Sequence, residues 1–302
     1  TATMINNTSG TIELRKNPDA GGKDKADNSA GMALMHDSSV SNGVSLKRGN
    51  AVNKGNIKVT DVQNSLGAYV NIDSDITNEG TIAVNSAITK ATSGSQPVNI
   101  AMRADNLNGG SVNSEVINKD DGTVHGKITI DGNYAIGMLT SNSKLTNTGT
   151  ISSTDVKNGV GIVGINNATV KNNGVVKVLG TGDTNNIGIF LNTNSTGTIP
   201  SGGSLTPSVE VSGNNSTGVL VSGGSSLTLG GTVKATGNAV TGIVANNTTV
   251  TLSGTGGVTV NNGTNAAGKA TVSSTEKGSY GIVVKGSSGN FTGTDTTVTA
   301  NV

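Results

Sequence analysis

A two-part phrase recurs five times along the 302 residues and leaves few folds open. A glycine begins a short aliphatic run, and a second glycine twelve or thirteen residues later begins another. The copies read Gly67-Ala-Tyr-Val with Asn78-Glu-Gly80-Thr-Ile, Gly137-Met-Leu with Asn147-Thr-Gly149-Thr-Ile, and Gly161-Ile-Val with Asn172-Asn-Gly174-Val-Val. Two more are Gly218-Val-Leu-Val with Gly230-Gly231-Thr-Val, and Gly242-Ile-Val with Gly254-Thr-Gly-Gly-Val. Weaker versions begin at Gly31, Gly188 and Gly281. Repetition on this scale implies stacked units, none able to bury its apolar face without its neighbours. Any function must then be sought on the outside of the stack.

Each phrase carries two strand signals with turn residues between them. Val258-Thr-Val260, Val209-Glu-Val211 and Ala135-Ile-Gly-Met-Leu alternate large apolar with small or polar residues, the period of a strand with one face inward. Asn166-Asn167, Ser222-Gly223-Gly224 and Asn246-Asn247 separate such strands, and these residue types accept the backbone of a sharp corner. No long stretch has apolar spacing at i, i+3, i+4 and i+7, so helices are not expected. Only five aromatics occur, too few for the wide core of a globular enzyme but enough for a narrow interior of Val and Ile layers.

Similar phrases recurring at 24 to 39 residues favour each copy lying above the last, in register. The fold expected is all-β: a right-handed parallel β-helix, a repeat solenoid with extra-helical loops. Coils of roughly 24 residues would give about 12 coils and a rod ~60 Å long at ~4.8 Å per coil. A β-propeller is the alternative, but the aromatic or Trp-Asp signatures of propeller blades are missing. One elongated domain spans 1–302. Residues 1–150 carry 27 of the 39 charged side chains and 151–302 carry 12, which makes the first part loop-rich and the second plainer scaffold.

Several chemistries are disfavoured. A net charge of +1 provides no field to recruit nucleic acid or an anionic membrane. The absence of cysteine removes disulfides, thiolate metal sites and cysteine nucleophiles. No apolar stretch reaches the ~20 residues of a membrane-spanning helix. Gly159-Val-Gly161-Ile-Val-Gly164 matches a dinucleotide fingerprint in letters, but turn residues follow where a helix is needed. Gly263 to Lys269 nearly matches a P-loop, with Ala270 where Ser or Thr would hold magnesium. His36 and His125 lie far apart and read as surface residues. Asp73-Ser-Asp75 and Asp120-Asp121 offer oxygen ligands for calcium, without the spacing of a known loop. No catalytic, metal or cofactor-binding residue is assigned. The rival reading is a polysaccharide lyase or hydrolase, in which Asp73, Asp75, Arg103, Asp105, Asp120 and Asp121 would have to converge in one groove.

Where the period stretches, residues must leave the stack: 13–30, 85–100, 105–127, 192–208 and 261–279. Rigid scaffolds carry their binding residues on such loops. The charged ones supply the candidate partner-binding residues: Arg15, Lys16, Asp19, Lys23, Asp24 and Lys25 in the first, and Glu115, Lys119, Asp120 and Asp121 in the third.

The Asn-x-Gly-Thr-Ile and Gly-Ile-Val phrases, in a Gly/Asn/Thr-rich chain without cysteine, resemble passenger domains of type V autotransporters, especially the large fusobacterial outer-membrane adhesins. The resemblance runs from about Ala30 to the end and rests on repeat style. It implies a secreted, surface-displayed passenger held at the outer membrane by a C-terminal barrel that this chain does not contain. It also implies attachment to a surface protein or glycan of other bacteria or host cells, and supplies no catalytic motif. The Thr1 start and Asn301-Val302 end read as a segment of something longer. A monomer without cofactor, and without direct membrane insertion, is the expectation. A pure stalk that binds nothing is the remaining alternative.

Overall fold

A computed structural model of the protein describes residues 3–15, 27–35, 49–91, 94–106, 114–202, 208–253, 257–261, 279–286, 290–293 and 297–301. Among them there are strands and corners but no helix. The strands form three sheets in which every ladder is parallel, so the chain is a parallel β-helix. Each coil contributes one strand per sheet. In the sixth coil, Val160–Ile165 lies in the third sheet, Thr169–Asn172 in the first and Val175–Val178 in the second.

Two expectations require correction. A coil holds three strands, not two. The overlooked strand is short and polar: Lys144–Asn147 buries Leu145 and ends on an asparagine, so its residues look like turn formers. Among the described residues the first sheet has ten strands, which makes ten coils rather than about 12 and a stack of ~45 Å at the usual strand spacing.

The interior is thin because a column of Ile and Val in the second sheet faces bare glycine in the third. Ile82, Ile128, Ile151, Val176, Val209 and Val233 stack in register and are almost fully buried. A Cβ added to Gly161, Gly188 or Gly218 would stand 2.3–2.4 Å from the methyl of Val176, Val209 or Val233. The glycine that opens each aliphatic run is therefore where the opposite wall makes contact.

The other half of the phrase forms the corner between the first and second sheets. Asn6, Asn53, Asn78, Asn118, Asn147 and Asn172 end six successive first-sheet strands and point inward. Each Nδ2 donates to the Oδ1 of the next asparagine, at 2.8, 2.8, 2.9, 2.9 and 2.7 Å. The sequence separations are 47, 25, 40, 29 and 25 residues, so coils of unequal length still bring the amides into contact. Beyond Asn172 the register places Ile199, Leu229 and Leu252 in the same column. Asn172 Nδ2 is buried without a partner because the next side chain up is a hydrocarbon. The corner from the third to the first sheet uses left-handed residues instead, including the Asn166-Asn167 and Gly223-Gly224 pairs singled out in the sequence.

Candidate interaction surfaces

The segment 105–127 is not one excursion. Glu115–Asn118 is a strand of the first sheet, paired between Ser74–Asn78 and Lys144–Asn147. Glu115 therefore stands on the sheet rather than on a loop, between Asp75 and Lys144 in register, and its carboxylate accepts the Thr146 hydroxyl at 2.7 Å. The true excursion is shorter. Seven residues, 119–125, connect Asn118 to Gly126 where Glu79 alone connects Asn78 to Gly80.

That loop is held by its own charges. The Gly126 amide donates to the Lys119 carbonyl at 2.6 Å and the Asp121 amide to the Val124 carbonyl at 3.3 Å, which folds the segment back on itself. The Asp121 carboxylate accepts from the Thr123 hydroxyl, the Thr123 amide and the Val124 amide at 2.5, 3.0 and 3.2 Å. Lys119 Nζ lies 3.0 Å from Glu79 and 3.1 Å from Asp121, tying the loop to the coil below. His125 Nδ1 is 3.1 Å from Asp120 Oδ2 and its side chain is exposed.

The Thr123 hydroxyl, with help from the Thr123 amide, Lys119 and the Val124 amide, holds the Asp121 carboxyl well below the usual carboxylate range. The hydrogen bonds to Glu79 and then Asp121 raise Lys119. A depressed carboxylate contributes stability that is complete above its ordinary pKa and is lost only as pH falls through the lower folded value. The Thr123 and Val124 amide resonances should therefore stay in place from pH 7 to pH 4. Thr123→Val should move the Asp121 titration up toward the ordinary range. A wild-type midpoint close to that of a free aspartate would overturn this account.

Of the first loop's candidates, Arg15 is the exposed last residue of Thr11–Arg15 in the second sheet, beside Thr60. Lys16, Asp19, Lys23, Asp24 and Lys25 lie outside the described residues, as do His36 and Gly263 to Lys269. Gly159-Val-Gly161-Ile-Val-Gly164 falls on a third-sheet strand, followed by the Asn166-Asn167 corner and another strand.

The acids of the enzyme reading fall at two corners of the stack: Asp73 adjoins Asp105, whose carbonyl accepts the Ile72 amide at 3.3 Å, whereas Asp120 and Asp121 lie at the far end of the first sheet. Arg103 and Asp105 lie on the third sheet, paired at 2.8 Å, with the Tyr69 hydroxyl donating to Asp105 at 3.2 Å. Burial, then the Asp105 charge, pushes the Tyr69 phenol up. Asp73 sits on the next corner with φ +52°, Asp75 on the first sheet, and Asp120 and Asp121 at the corner beyond it. Among the described residues, no three His, Cys, Asp or Glu side chains gather as a metal site would require. Nor does any described helix have the length and apolarity to cross a membrane. No family model, curated protein or solved structure matches the chain.

One surface was missed from the sequence. Outside the third sheet, Ile100, Ile136, Leu139 and Val163 form an apolar cluster separate from the interior, with Val160, Ile165 and Phe190 packed against it. The signal was present in the aliphatic runs: in Gly161-Ile162-Val163, Ile162 belongs to the interior and Val163 to the outside. A strand with one wet face should alternate, and an unbroken run marks two apolar faces.

Proposed function

We propose that the chain is a non-enzymatic adhesin segment displayed on a bacterial surface, binding a protein or glycan of other bacteria or host cells through loops on a rigid stack. The observation that carries this reading is the 119–125 loop: an excursion of mixed charge, pinned to the coil beneath it by Lys119 and Glu79. A pre-ordered loop spends less binding energy on ordering itself. Asp120 and Asp121 lie at a different corner from Asp73, Asp75, Arg103 and Asp105, which supports an adhesin over a polysaccharide-cleaving enzyme drawing on all six in one groove. Anchorage through a barrel elsewhere in a longer parent, and contacts multiplied by many copies per cell, complete the proposal.

The test exploits the repeat. Replacing 119–125 by a single glutamate rebuilds the Asn-Glu-Gly corner already present at Asn78 to Gly80, so the stack should persist. Purified protein is expected to bind a panel of bacterial and host cells saturably, and the excised variant to lose at least tenfold in affinity with unchanged circular dichroism. Equal binding by both would move recognition away from this loop. Failure of either to bind any cell would leave a stalk.

A further inference from the structure

We propose that the boundary between the sixth and seventh coils is a parting plane, where the stack opens into two blocks before either block unfolds. In the first sheet the sixth coil carries Thr169–Asn172 and the seventh Thr196–Ile199. Elsewhere along this sheet, the residue after the ladder position donates its amide to the carbonyl of the ladder residue one coil below. Lys54, Glu79, Lys119, Thr148 and Asn173 do so up to the sixth coil, and Gly230 and Ser253 do so above the seventh, at 2.5–2.9 Å. The seventh coil has Pro200 in that place. Proline has no amide hydrogen, so this link is missing. Strand pairing accordingly stops at Lys171 with Thr198, whereas the boundaries below and above pair four residues.

Two further contacts fail at the same level. The amide ladder ends there, because Asn172 Nδ2 finds Ile199 above it and stays buried without a partner. Gly197 also stands in the interior column that holds Leu145 and Val170 below it and Leu227 and Val250 above. Leu191, from the third sheet, takes the space a side chain at Gly197 would fill. Stacked coils are held by the sum of their nearest-neighbour links. A boundary short of a backbone bond, a side-chain bond and an apolar contact is therefore where that sum is smallest.

The other two sheets keep the blocks in register when closed. Val175–Val178 pairs with Ser208–Val211 across the plane, and Val160–Gly164 with Ile187–Leu191. The 119–125 loop follows the first-sheet strand of the fourth coil, so an opening above the sixth leaves it within an intact block.

Native-state hydrogen exchange at low denaturant reads this boundary directly. The amides of Thr169, Thr196 and Ser226 begin successive first-sheet strands, and each donates to the coil below, to Ser143, Ala168 and Ser195, at 3.0, 2.8 and 2.9 Å. Fraying from the ends would lower protection steadily outward, leaving Ser226 the least protected of the three. A parting plane instead sets a minimum at Thr196, expected at least tenfold below both neighbours. Pro200→Ala supplies the missing donor and should raise protection at Thr196 severalfold while leaving Thr169 and Ser226 unchanged. Ile199→Asn gives Asn172 Nδ2 an acceptor and passes the unpaired amide up one boundary, so protection should rise at Thr196 and fall at Ser226. The wild-type profile needs no substitution, so the test stands even if Ile199→Asn fails to fold. Protection at Thr196 that is not below both neighbours, or a Pro200→Ala effect shared equally by all three amides, would overturn the proposal.

Discussion

Asn118→Ala is expected to destabilise the stack by about 3–5 kcal/mol, whereas Asn172→Leu should change stability by less than about 1 kcal/mol, although both remove a buried asparagine of the same ladder. Asn118 is internal. Its Oδ1 accepts from Asn78, its Nδ2 donates to Asn147, and the same nitrogen reaches the Thr150 carbonyl at 3.4 Å. Removing its amide opens a void and deprives Asn147 Oδ1 of its donor in a place water does not reach. Asn172 is terminal. Its Nδ2 already lacks a partner, and its neighbour above in register is Ile199. Leucine there extends the Ile199–Leu229–Leu252 column downward by one position and moves the unpaired amide from Asn172 to Asn147. One unsatisfied group replaces another, so little should change. Urea unfolding at unchanged m-value measures both differences. Equal losses for the two variants would show that the amides act as packing volume rather than as a hydrogen-bonded chain.

This ladder also shows how much was legible beforehand. Asn-x-Gly marked the coil boundary in the sequence because two strict demands coincide there: an inward amide that must find its copies, and a corner with no room for a Cβ. The same repeat style led to the parallel stack. The strand between the marks was harder to read because Lys144-Leu-Thr-Asn147 places one hydrocarbon and one asparagine inside and two polar side chains outside. Glu115 was assigned to a loop for the same reason, since Glu115–Asn118 buries Val116 and ends on Asn118. The long gap before Lys127 concealed the strand within it. The outer face of the third sheet was hidden differently. An aliphatic run reads as interior from either side, and only the register of neighbouring coils assigns Met138 to the main core and Leu139 to the second buried cluster on the sheet's other face. For the candidate site, charge located the 119–125 loop, but its hydrogen bonds depend on how Lys119 meets Glu79 across 40 residues of sequence.

The corner glycine should prove as intolerant as the asparagine before it. Gly149→Ala is expected to cost about 3–5 kcal/mol, the sum of an overpacking penalty and a broken backbone hydrogen bond. Its Cβ would stand 2.2 Å from the Gly126 carbonyl oxygen and 2.7 Å from Asn118 Nδ2. The first of these atoms is fixed backbone, because the Gly126 carbonyl accepts the Thr150 amide at 3.1 Å and thereby joins one coil to the next. Relieving the clash means lengthening that bond. Gly80 and Gly174 face the corresponding carbonyl below at 2.2 and 2.1 Å, so the same result is expected along the corner. Gly182→Ala is the control: φ is +71° but nothing lies within 4 Å of the new methyl, leaving only the ~1–2 kcal/mol of a left-handed non-glycine residue. The two parts of the phrase should also be coupled. With Asn118 already alanine, the second clash disappears while the carbonyl clash remains, so Gly149→Ala should cost less in that background than in the wild type. Strict additivity would mean that the carbonyl alone enforces glycine. Coupling of about 1 kcal/mol or more would mean that the corner is built around the amide ladder, and that Asn and Gly recur together because each occupies space the other leaves open.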